Sequence, residues 1–234
     1  MDNIRKEENF EFGYNVFGPF LASFTGWLHT KVTETKPSKI FFFSRDGYLM
    51  KVCYDILEAR KPNHIPTEYI NVSRKSLRTP LIWTKQAFER TLDLLSWQRF
   101  ISYREVLSFW NIPNEKTSVY ADKLDNFIPF EKLKDDVFLR SVYDANRNDI
   151  DDISREQYNS LQLYLAQSGM NGNVVIVDIG WHGSMQYLLE QFFVQSKNDV
   201  SVHGLYIGIG QSKKLTGRTD GFIYNSEEDP QRSV

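Results

Sequence analysis

Short apolar runs alternate along the chain with stretches of helical periodicity. Three of the runs, at residues 40–43, 69–72 and 174–177, have the length and the β-branched or aromatic character of buried parallel strands. Two further runs, at residues 202–209 and 222–224, have a similar composition, and the last is short enough to be an edge strand. The pattern therefore predicts about five strands.

The segments between these runs predict helices. Between the first two runs, residues 48–60 place five apolar side chains on one helical face. Those five are Leu49, Val52, Cys53, Ile56 and Leu57. Between the third and fourth runs, residues 184–194 repeat this spacing. Strand, short loop, helix and strand form a βαβ unit, so the sequence predicts an α/β fold with a mostly parallel sheet of about five strands flanked by helices.

The stretch 78–167 has a different pattern, and we expect a helical insertion or cap within a single α/β domain over residues 1–234. The predicted helices of this stretch are residues 85–95, 103–110 and 155–166. Residues 144–152 carry four aspartates and are typical of a turn-rich connection. The stretch shows no strong strand pattern.

The composition narrows the class of protein. Hydrophobic residues make up 41% of the chain, enough for a sizeable core. The net charge of −2 and the lack of a polybasic run argue against nucleic acid and anionic membranes as partners. The single cysteine, Cys53, excludes an internal disulfide and a multi-cysteine metal site, and its apolar neighbours favour a core residue over a nucleophile.

The longest uncharged run, residues 12–28, is too short and too polar to span a membrane. We expect a buried N-terminal helix there, with Pro19 in an early turn or at a kink. The acidic start of the chain lacks a signal-peptide pattern, which favours a cytoplasmic protein with no integral membrane segment. The last residues form no recognisable terminal element, and the sequence leaves open whether the natural chain continues beyond Val234.

Residues that could carry chemistry follow the first predicted strand, where open parallel sheets bind ligands. This loop, residues 44–48, begins with Ser44. Arg45 can pair with a phosphate, Asp46 can hold a metal or a hydroxyl, and Gly47 permits a tight turn or a close backbone approach. An equally weighted structural alternative is a capped turn, with Asp46 as the helix N-cap and Arg45 in solvent.

A second candidate loop, residues 178–184, follows the third strand. Asp178 at the strand tip could bind sugar hydroxyls, and the N–H groups at a helix start form a phosphate cradle to which Ser184 could add its hydroxyl. The structural alternative is that Ser184 caps the helix and Trp181 packs. We favour the functional interpretation because an acid, two glycines and a serine occur together. The expected substrate-binding residues of this loop are Gly180, Trp181, Gly183 and Ser184.

A third loop follows the second strand, and its Arg74 and Lys75 would add to an anion site at the same sheet edge. Taken alone, such a loop is more often a solvated turn. His182 lies within a candidate site and could donate to a phosphate or move a proton near neutral pH. The other three histidines are better explained as structural or solvated. No spacing typical of a transition-metal site occurs.

At these loops the order of elements resembles that of type I phosphoribosyltransferases. The signature of that family is an apolar strand, one or two acids that face the ribose hydroxyls, and a Gly- and Thr-containing loop that binds the 5-phosphate of phosphoribosyl pyrophosphate. Residues 174–177, Asp178 and the pair Gly183-Ser184 correspond to these parts, and residues 44–47 take the place of the pyrophosphate loop. The sequence departs from the family in three ways. It has one acid, Asp178, where two adjacent acids are usual, it has Ser184 where threonine is usual, and it carries the atypical pair Trp181-His182.

A more extensive resemblance is to a group of bacterial polysaccharide-cluster proteins, often labelled haloacid-dehalogenase-like. They carry similar Gly-Pro, Ser-Arg-Asp-Gly-Tyr and Val-Asp-Ile-Gly-Trp-His-Gly-Ser segments, which match residues 18–19, 44–48 and 177–184. Some of them look like phosphoribosyltransferases that build ribofuranose into surface glycans. The resemblance implies transfer of 5-phosphoribose from phosphoribosyl pyrophosphate to a glycan hydroxyl, followed by removal of the phosphate by a separate partner phosphatase.

A transferase of this kind would use Mg²⁺, held by Asp46 and Asp178, together with cationic groups to neutralise the departing pyrophosphate. Asp178 would stabilise the positive charge that develops at the anomeric carbon. Asp46, Asp178 or His182 could accept the proton of the acceptor hydroxyl, and the sequence does not choose among them. The helical insertion would supply the contacts to the acceptor.

Two other functions remain as alternatives. A haloacid-dehalogenase-type phosphatase needs a second aspartate two residues after its nucleophile, but Tyr48 follows Asp46 at that spacing and Gly180 follows Asp178. A non-catalytic α/β scaffold or nucleotide-binding domain is the third hypothesis. A dinucleotide fold would need more glycines than the single one in residues 44–48.

Overall fold

The computed structural model of the protein describes residues 2–59, 61, 64–210 and 215–226. The chain forms two compact units. The first unit combines Met1–Val72 with Gln167–Val234, and the second unit is Ser73–Ala166. The second unit nearly coincides with the stretch 78–167 that the sequence sets apart as a helical insertion.

Strands and helices alternate over most of the chain. The strands are β1 (Lys39–Phe43), β2 (Thr67–Ile70), β3 (Phe100–Ser102), β4 (Phe127–Pro129), β5 (Gly172–Trp181), β6 (Val200–Ile209) and β7 (Thr219–Asn225). The α-helices are α1 (Asp2–Phe12), α2 (Gly18–Thr35), α3 (Gly47–Glu58), α4 (Arg74–Arg78), α5 (Phe88–Leu92), α6 (Tyr103–Phe109), α7 (Asn114–Thr117), α8 (Ala121–Leu124), α9 (Val137–Gln167) and α10 (Ser184–Ser196). A π-helical turn lies at Gly13–Phe17, and 3-10 turns lie at Thr79–Thr84, Ser118–Tyr120 and Phe130–Asp135.

The first unit is built on a five-stranded sheet with the order β2-β1-β5-β6-β7, in which every neighbouring pair is parallel. The predicted α/β fold with about five strands is therefore confirmed. Parallel neighbours need crossover connections, which α3 provides between β1 and β2 and α10 provides between β5 and β6. The second strand pairs two residues earlier than predicted, since Ile40 lies opposite Thr67 and Phe43 lies opposite Ile70.

The main core of the first unit lies on one face of the sheet, under α2 and α3. Val177 of β5 and Leu205 of β6 pack there against Phe24 of α2 and Met50 of α3, and all four are buried. Side chains alternate between the two faces along a strand, so Tyr206 points to the opposite face. There it meets α10.

The side of α3 that faces the sheet differs from the predicted one. Its buried residues are Gly47, Met50, Tyr54 and Glu58, whereas Leu49, Val52, Ile56 and Leu57 are exposed and Cys53 is half-buried. Gly47 sets this rotation, because a Cβ there would lie 3.0 Å from the carbonyl carbon of Phe42 and 3.2 Å from its Cβ. The predicted apolar face is therefore wrong. Burial raises the pKa of the Cys53 thiol, which fits a structural residue better than a nucleophile.

The N-terminal helical segment is buried over only part of its length. Pro19 lies in the first turn of α2, one of the two places expected for it. Core residues of α2 begin at Leu21, whereas Phe12 and Tyr14 are exposed because they precede the part of the helix that covers the sheet. The expectation of burial from residue 12 onward is therefore wrong. Among the helices that the structure describes, none has the length and apolarity to cross a membrane.

The second unit is mainly helical and is dominated by α9, which has 31 residues. The aspartate-rich residues 144–152 lie inside α9 and not in a turn, because buried positions such as Val142, Asn146 and Ile150 continue through them at helical spacing. The predicted helix at residues 85–95 is reduced to α5. The strands β3 and β4 form an antiparallel pair where the sequence shows no strand pattern.

Candidate functional site

The strand order places a topological switch point between β1 and β5. From β1 the chain crosses to β2 on one side, and from β5 it crosses to β6 on the other. In doubly wound sheets of this order, ligands bind in the crevice outside the carboxyl ends of the strands at the switch point. The loops that leave β1 and β5 hold most of the predicted site residues, so the fold brings the first two candidate loops to one edge of the sheet.

The loop after β1 is held by hydrogen bonds at its β2 side. The Ser44 hydroxyl donates to the Val72 carbonyl (2.7 Å), and the Arg45 N–H donates to the Tyr69 hydroxyl (3.0 Å). Arg45 has a left-handed backbone with φ 74°, which is uncommon for a residue with a side chain. The Ser44 proton is thus used within the protein, whereas the Arg45 guanidinium is exposed and accessible to a ligand.

Asp46 occupies the N-cap position of α3 but makes no side-chain capping hydrogen bond. Its backbone is already helical, with φ −69° and ψ −35°, whereas capping residues usually have an extended backbone. The alternative in which Asp46 caps α3 is therefore wrong. The exposed carboxylate is left to solvent or to a ligand. Gly47 beside it serves the packing of α3 on Phe42, so a structural need explains this glycine.

β5 runs four residues further than the sequence predicts. Residues 178–181, expected in a loop, stay paired with β6. The pairs are Asp178 with Tyr206, Gly180 with Gly208 and Trp181 with Ile209. Gly180 allows this continuation, because its φ is 102° and a Cβ there would lie 2.3 Å from the Gly208 carbonyl oxygen. The connection to α10 is only His182 and Gly183.

Trp181 and His182 are exposed at the end of β5. Trp181 has a left-handed backbone, with φ 75°, and its ring comes within 3.2 Å of the place that a Cβ would take on Gly208. The side chain still keeps 55% of its surface exposed. The indole therefore packs in part on β6, as the structural alternative expects, and leaves about half of its surface exposed.

α10 begins at an N-cap residue without a side chain, Gly183, which has φ 58° and ψ 21°. Ser184 is the first residue inside the helix, so the alternative in which Ser184 caps α10 is wrong. A Cβ on Gly183 would lie 2.6 Å from Cδ1 of Leu215, which keeps this position small. The first N–H groups of a helix have no intrahelical partner, and the helix dipole makes this end attractive to anions.

Asp178 is half-buried on the sheet face that α10 covers, beside Tyr206. The Tyr206 hydroxyl donates to Oε1 of Gln186 (2.9 Å). Burial, followed by the negative charges of Asp178 and Glu190, raises the pKa of Tyr206 well above its ordinary value. The phenol therefore stays protonated and acts as a hydrogen-bond donor beneath the candidate carboxylate.

A polar network continues from this tyrosine to the segment before β7. Nε2 of Gln186 donates to Oε1 of Glu190 (2.8 Å), and Glu190 accepts from the N–H groups of Thr216 (2.9 Å) and Gly217 (3.1 Å). None of these residues, nor Tyr69, is among the site residues predicted from the sequence. The one available signal is that Gln186 and Glu190, both buried, stand four positions apart in a helix predicted from its apolar residues.

The chemistry of the two carboxylates fits Mg²⁺ better than a transition metal. Within the described part of the chain, no three His, Cys, Asp or Glu side chains come together to hold a metal ion. Mg²⁺ is commonly held by one or two carboxylates and the phosphates of a substrate, not by a complete protein cage. Asp46 and Asp178, from the two sides of the switch point, are the residues that could supply those carboxylates.

Arg74 and Lys75, expected near the same sheet edge, belong to the second unit. They are the first two residues of α4, are exposed, and line a cavity formed by residues of that unit. Ser73 caps α4 through a hydrogen bond from the Ser76 N–H (3.1 Å). The contribution of Arg74 and Lys75 to the site on the first unit stays a prediction.

The fold and the site define the chain as a doubly wound α/β protein with a candidate ligand crevice at its switch point. A scan against known protein families and a search of curated proteins return no match for this chain. We therefore infer its function from the residues and the geometry of the crevice.

Proposed function

We propose that the chain is a glycosyltransferase of the phosphoribosyltransferase type, which moves 5-phosphoribose from phosphoribosyl pyrophosphate to a glycan hydroxyl in surface polysaccharide synthesis. The observation that carries the proposal is the meeting of two loops at one switch point. One offers a carboxylate, Asp46, that does no capping, and the other offers a helix N-terminus that begins at Gly183. A donor with both a phosphate and a pyrophosphate suits such a pair.

The N-terminus of α10 would bind the 5-phosphate. Its free N–H groups and its dipole favour an anion, and Ser184 at the first helical position adds a hydroxyl. Gly183 is kept small by Leu215, so the residue that precedes Ser184 places no side chain of its own at this helix end. The exposed Trp181 ring is available to the acceptor sugar.

The carboxylates would act on the ribose and the leaving group. Mg²⁺ held by Asp46 and Asp178 would neutralise charge on the departing pyrophosphate, and the exposed Arg45 guanidinium would add to this. The bond from the anomeric carbon to the pyrophosphate oxygen breaks, and a bond to the acceptor oxygen forms. Asp178 would stabilise the positive charge at that carbon. Asp46, Asp178 and His182 are the groups that can take the acceptor proton.

The phosphatase alternative is disfavoured by residue identity. The position two residues after Asp46 is Tyr48, whose ring packs against Tyr69 with centroids 5.8 Å apart. A non-catalytic scaffold has one observation in its favour: α3 exposes the apolar side chains of Leu49, Val52 and Ile56, a stripe that a partner could cover. The proposed enzyme would work in the cytoplasm with a separate phosphatase as its partner.

The proposal is tested by thermal unfolding with Mg²⁺ and phosphoribosyl pyrophosphate on the wild type, Asp178→Asn and Asp199→Asn. Asp199 precedes β6 at the opposite, amino end of the strands and serves as the matched control. Donor at roughly 100-fold above its Kd stabilises the folded state by about 2.7 kcal/mol. We expect the donor to raise the midpoint of thermal unfolding in the wild type and in Asp199→Asn, and to raise it less in Asp178→Asn. No rise at millimolar donor would favour the scaffold.

A further inference from the structure

The second unit contains a cavity of its own, with a volume of about 530 Å³. Helices α4 and α6 and the loop between α5 and β3 supply its walls. Small-molecule sites in proteins commonly have volumes of roughly 300 to 1,000 Å³. The cavity is therefore large enough for a sugar phosphate or a nucleotide.

The walls of this cavity carry an excess of positive charge. Arg104 is neutralised, because its guanidinium makes two hydrogen bonds to Asp125 (2.8 and 3.0 Å). The acid of the lining, Glu105, is used within the protein, since it accepts from the Ser102 N–H and hydroxyl (both 2.9 Å). The remaining cations of the lining are Arg74, Lys75 and Arg78, all on α4.

Arg78 is the most confined of these cations. Its guanidinium lies 5.0 Å from the ring centroid of Phe109, and its Nε is buried without a hydrogen-bond partner among the described residues. Burial and then the like charge of Arg74, four positions earlier on the helix, lower the pKa of Arg78. A desolvated cation beside a second cation is unfavourable unless an anion pairs with it. This arrangement of charges would favour a bound anion.

An aromatic side chain lies at the same cavity. Trp97 is 78% exposed, which leaves its indole face open, and Gln98 and Ser108 add polar groups to the lining. Arginine forks match phosphate oxygens, and an open indole stacks on flat or ring-shaped groups. We propose that this cavity binds the phosphate ester of a ring-bearing small molecule, with the phosphate at Arg74, Lys75 and Arg78 and the ring on Trp97. Arg74 and Lys75 are also predicted from the sequence to serve the first unit, but Arg78 and Trp97 have no part in the transferase proposal, so this proposal does not rest on that function.

The first test compares Arg78→Met with the wild type and with Arg90→Met, a matched control whose exposed side chain on α5 lies outside the cavity lining. Thermal midpoints are measured with inorganic phosphate, glucose 6-phosphate and AMP at constant ionic strength. At about 100-fold above Kd, the midpoint should rise by roughly 5 °C in the wild type and in Arg90→Met, but not in Arg78→Met. Without ligand, Arg78→Met should unfold no earlier than the wild type, because methionine keeps the contact with Phe109 and removes an unpaired charge.

The opposite results would overturn the proposal. These are no rise in the wild type with any of the three phosphates, or an equal rise in Arg78→Met. If Arg78→Met does not fold, Arg74→Gln replaces it, since Arg74 is exposed, and it must weaken binding of all three phosphates.

The second test separates the sources of the phosphate. Of AMP and glucose 6-phosphate, one should bind the wild type more tightly. Trp97→Ala should lower the affinity for that ester by about tenfold and leave the affinity for inorganic phosphate unchanged. Tighter binding of AMP would assign a nucleotide, and tighter binding of glucose 6-phosphate would assign a sugar phosphate. Equal effects on all three would overturn the assignment of the ring to Trp97. Asp178→Asn should keep every one of these responses, so failure here and failure of the transferase proposal are distinguishable.

Discussion

Asp178 and Tyr206 lie directly opposite each other on β5 and β6, and the carboxylate helps to keep the buried phenol protonated. The phenol in turn donates its proton to Gln186 on α10. Asp178 therefore lies on β5, and the neighbouring strand β6 is hydrogen-bonded through Tyr206 to α10, the helix that begins after Gly183. Asp178 and the N-terminus of α10, both on the β5 side of the candidate site, are thus connected through Tyr206.

Removal of the Tyr206 hydroxyl should weaken this support. Tyr206→Phe leaves Oε1 of buried Gln186 without its donor, so we expect the free energy of unfolding to fall by about 1–3 kcal/mol in urea denaturation. Tyr48→Phe is the control, since Tyr48 is exposed, and it should change stability by less than about 0.5 kcal/mol. Equal stability of both variants would contradict the importance of the bond to Gln186.

Gly47 should resist even the smallest side chain. Gly47→Ala places a Cβ 3.0 Å from the backbone of Phe42, so α3 must move away from β1. We expect a loss of about 1–3 kcal/mol in the free energy of unfolding. Gly26→Ala is the matched control within α2, because nothing lies within 4 Å of its Cβ position, and it should stabilise the protein by about 0.5–1 kcal/mol. A stable Gly47→Ala variant would show that the contact relaxes easily.

Asp46 should be replaceable without loss of stability. It makes no capping hydrogen bond, so Asp46→Ala should change the free energy of unfolding by less than about 0.5 kcal/mol. Ser102 does cap its helix, with a 3.2 Å hydrogen bond from the Glu105 N–H, and Ser102→Ala should cost about 1 kcal/mol. Chemical denaturation measures the free energy of unfolding of both variants and tests the two predictions. A large loss in Asp46→Ala would mean that its carboxylate has a structural partner.

His203 should make the first unit less stable in mild acid. Its Nε2 lies 2.6 Å from Oδ2 of Asp220, and burial lowers the pKa of His203 below its ordinary 6.5 although Asp220 acts in the opposite direction. The unfolded chain therefore takes up the proton first. The contribution to stability is complete above about pH 6.5 and is lost as the pH falls through that value, by at most about 1.4 kcal/mol per pH unit.

The variant His203→Gln should remove this slope between pH 7 and pH 5, as measured by denaturation across that range. His64→Gln is the control, since His64 is exposed and its replacement should leave the slope unchanged. Parallel profiles for His203→Gln and the wild type would contradict the role of His203.

Asp220 contributes to stability at lower pH. Burial alone would raise the pKa of Asp220, but hydrogen bonds from Lys31 and His203 outweigh burial and lower this pKa. Stability from Asp220 is therefore lost as the pH falls below about 3.8.

The sequence predicts the parallel sheet well because buried parallel strands are recognisable as continuous apolar runs. It fails at the end of β5, since the pairing of Asp178 and Trp181 with β6 depends on a neighbouring strand and not on local composition. It also fails to predict which side of α3 is buried. Apolar residues occur on more than one side of this helix, and the contact of Gly47 with Phe42 determines which side faces the sheet.

The candidate site shows the same division. Loop residues such as Arg45 and Ser184 can be picked out because polar groups after a predicted strand are conspicuous. The left-handed backbones of Arg45 and Trp181 leave no trace in the sequence, since neither residue favours them. The strand order that makes β1 and β5 neighbours is a property of the whole sheet and cannot be read from any single segment.

The hydrogen bonds that Glu190 accepts from Thr216 and Gly217 have a consequence for the start of α10. These two amides bond to a buried carboxylate, so they should resist hydrogen exchange although they belong to no strand. Leu215, next to them, lies against the cap residue Gly183. The N-terminus of α10 is thus preorganised, and an anion that binds there has little chain entropy left to remove.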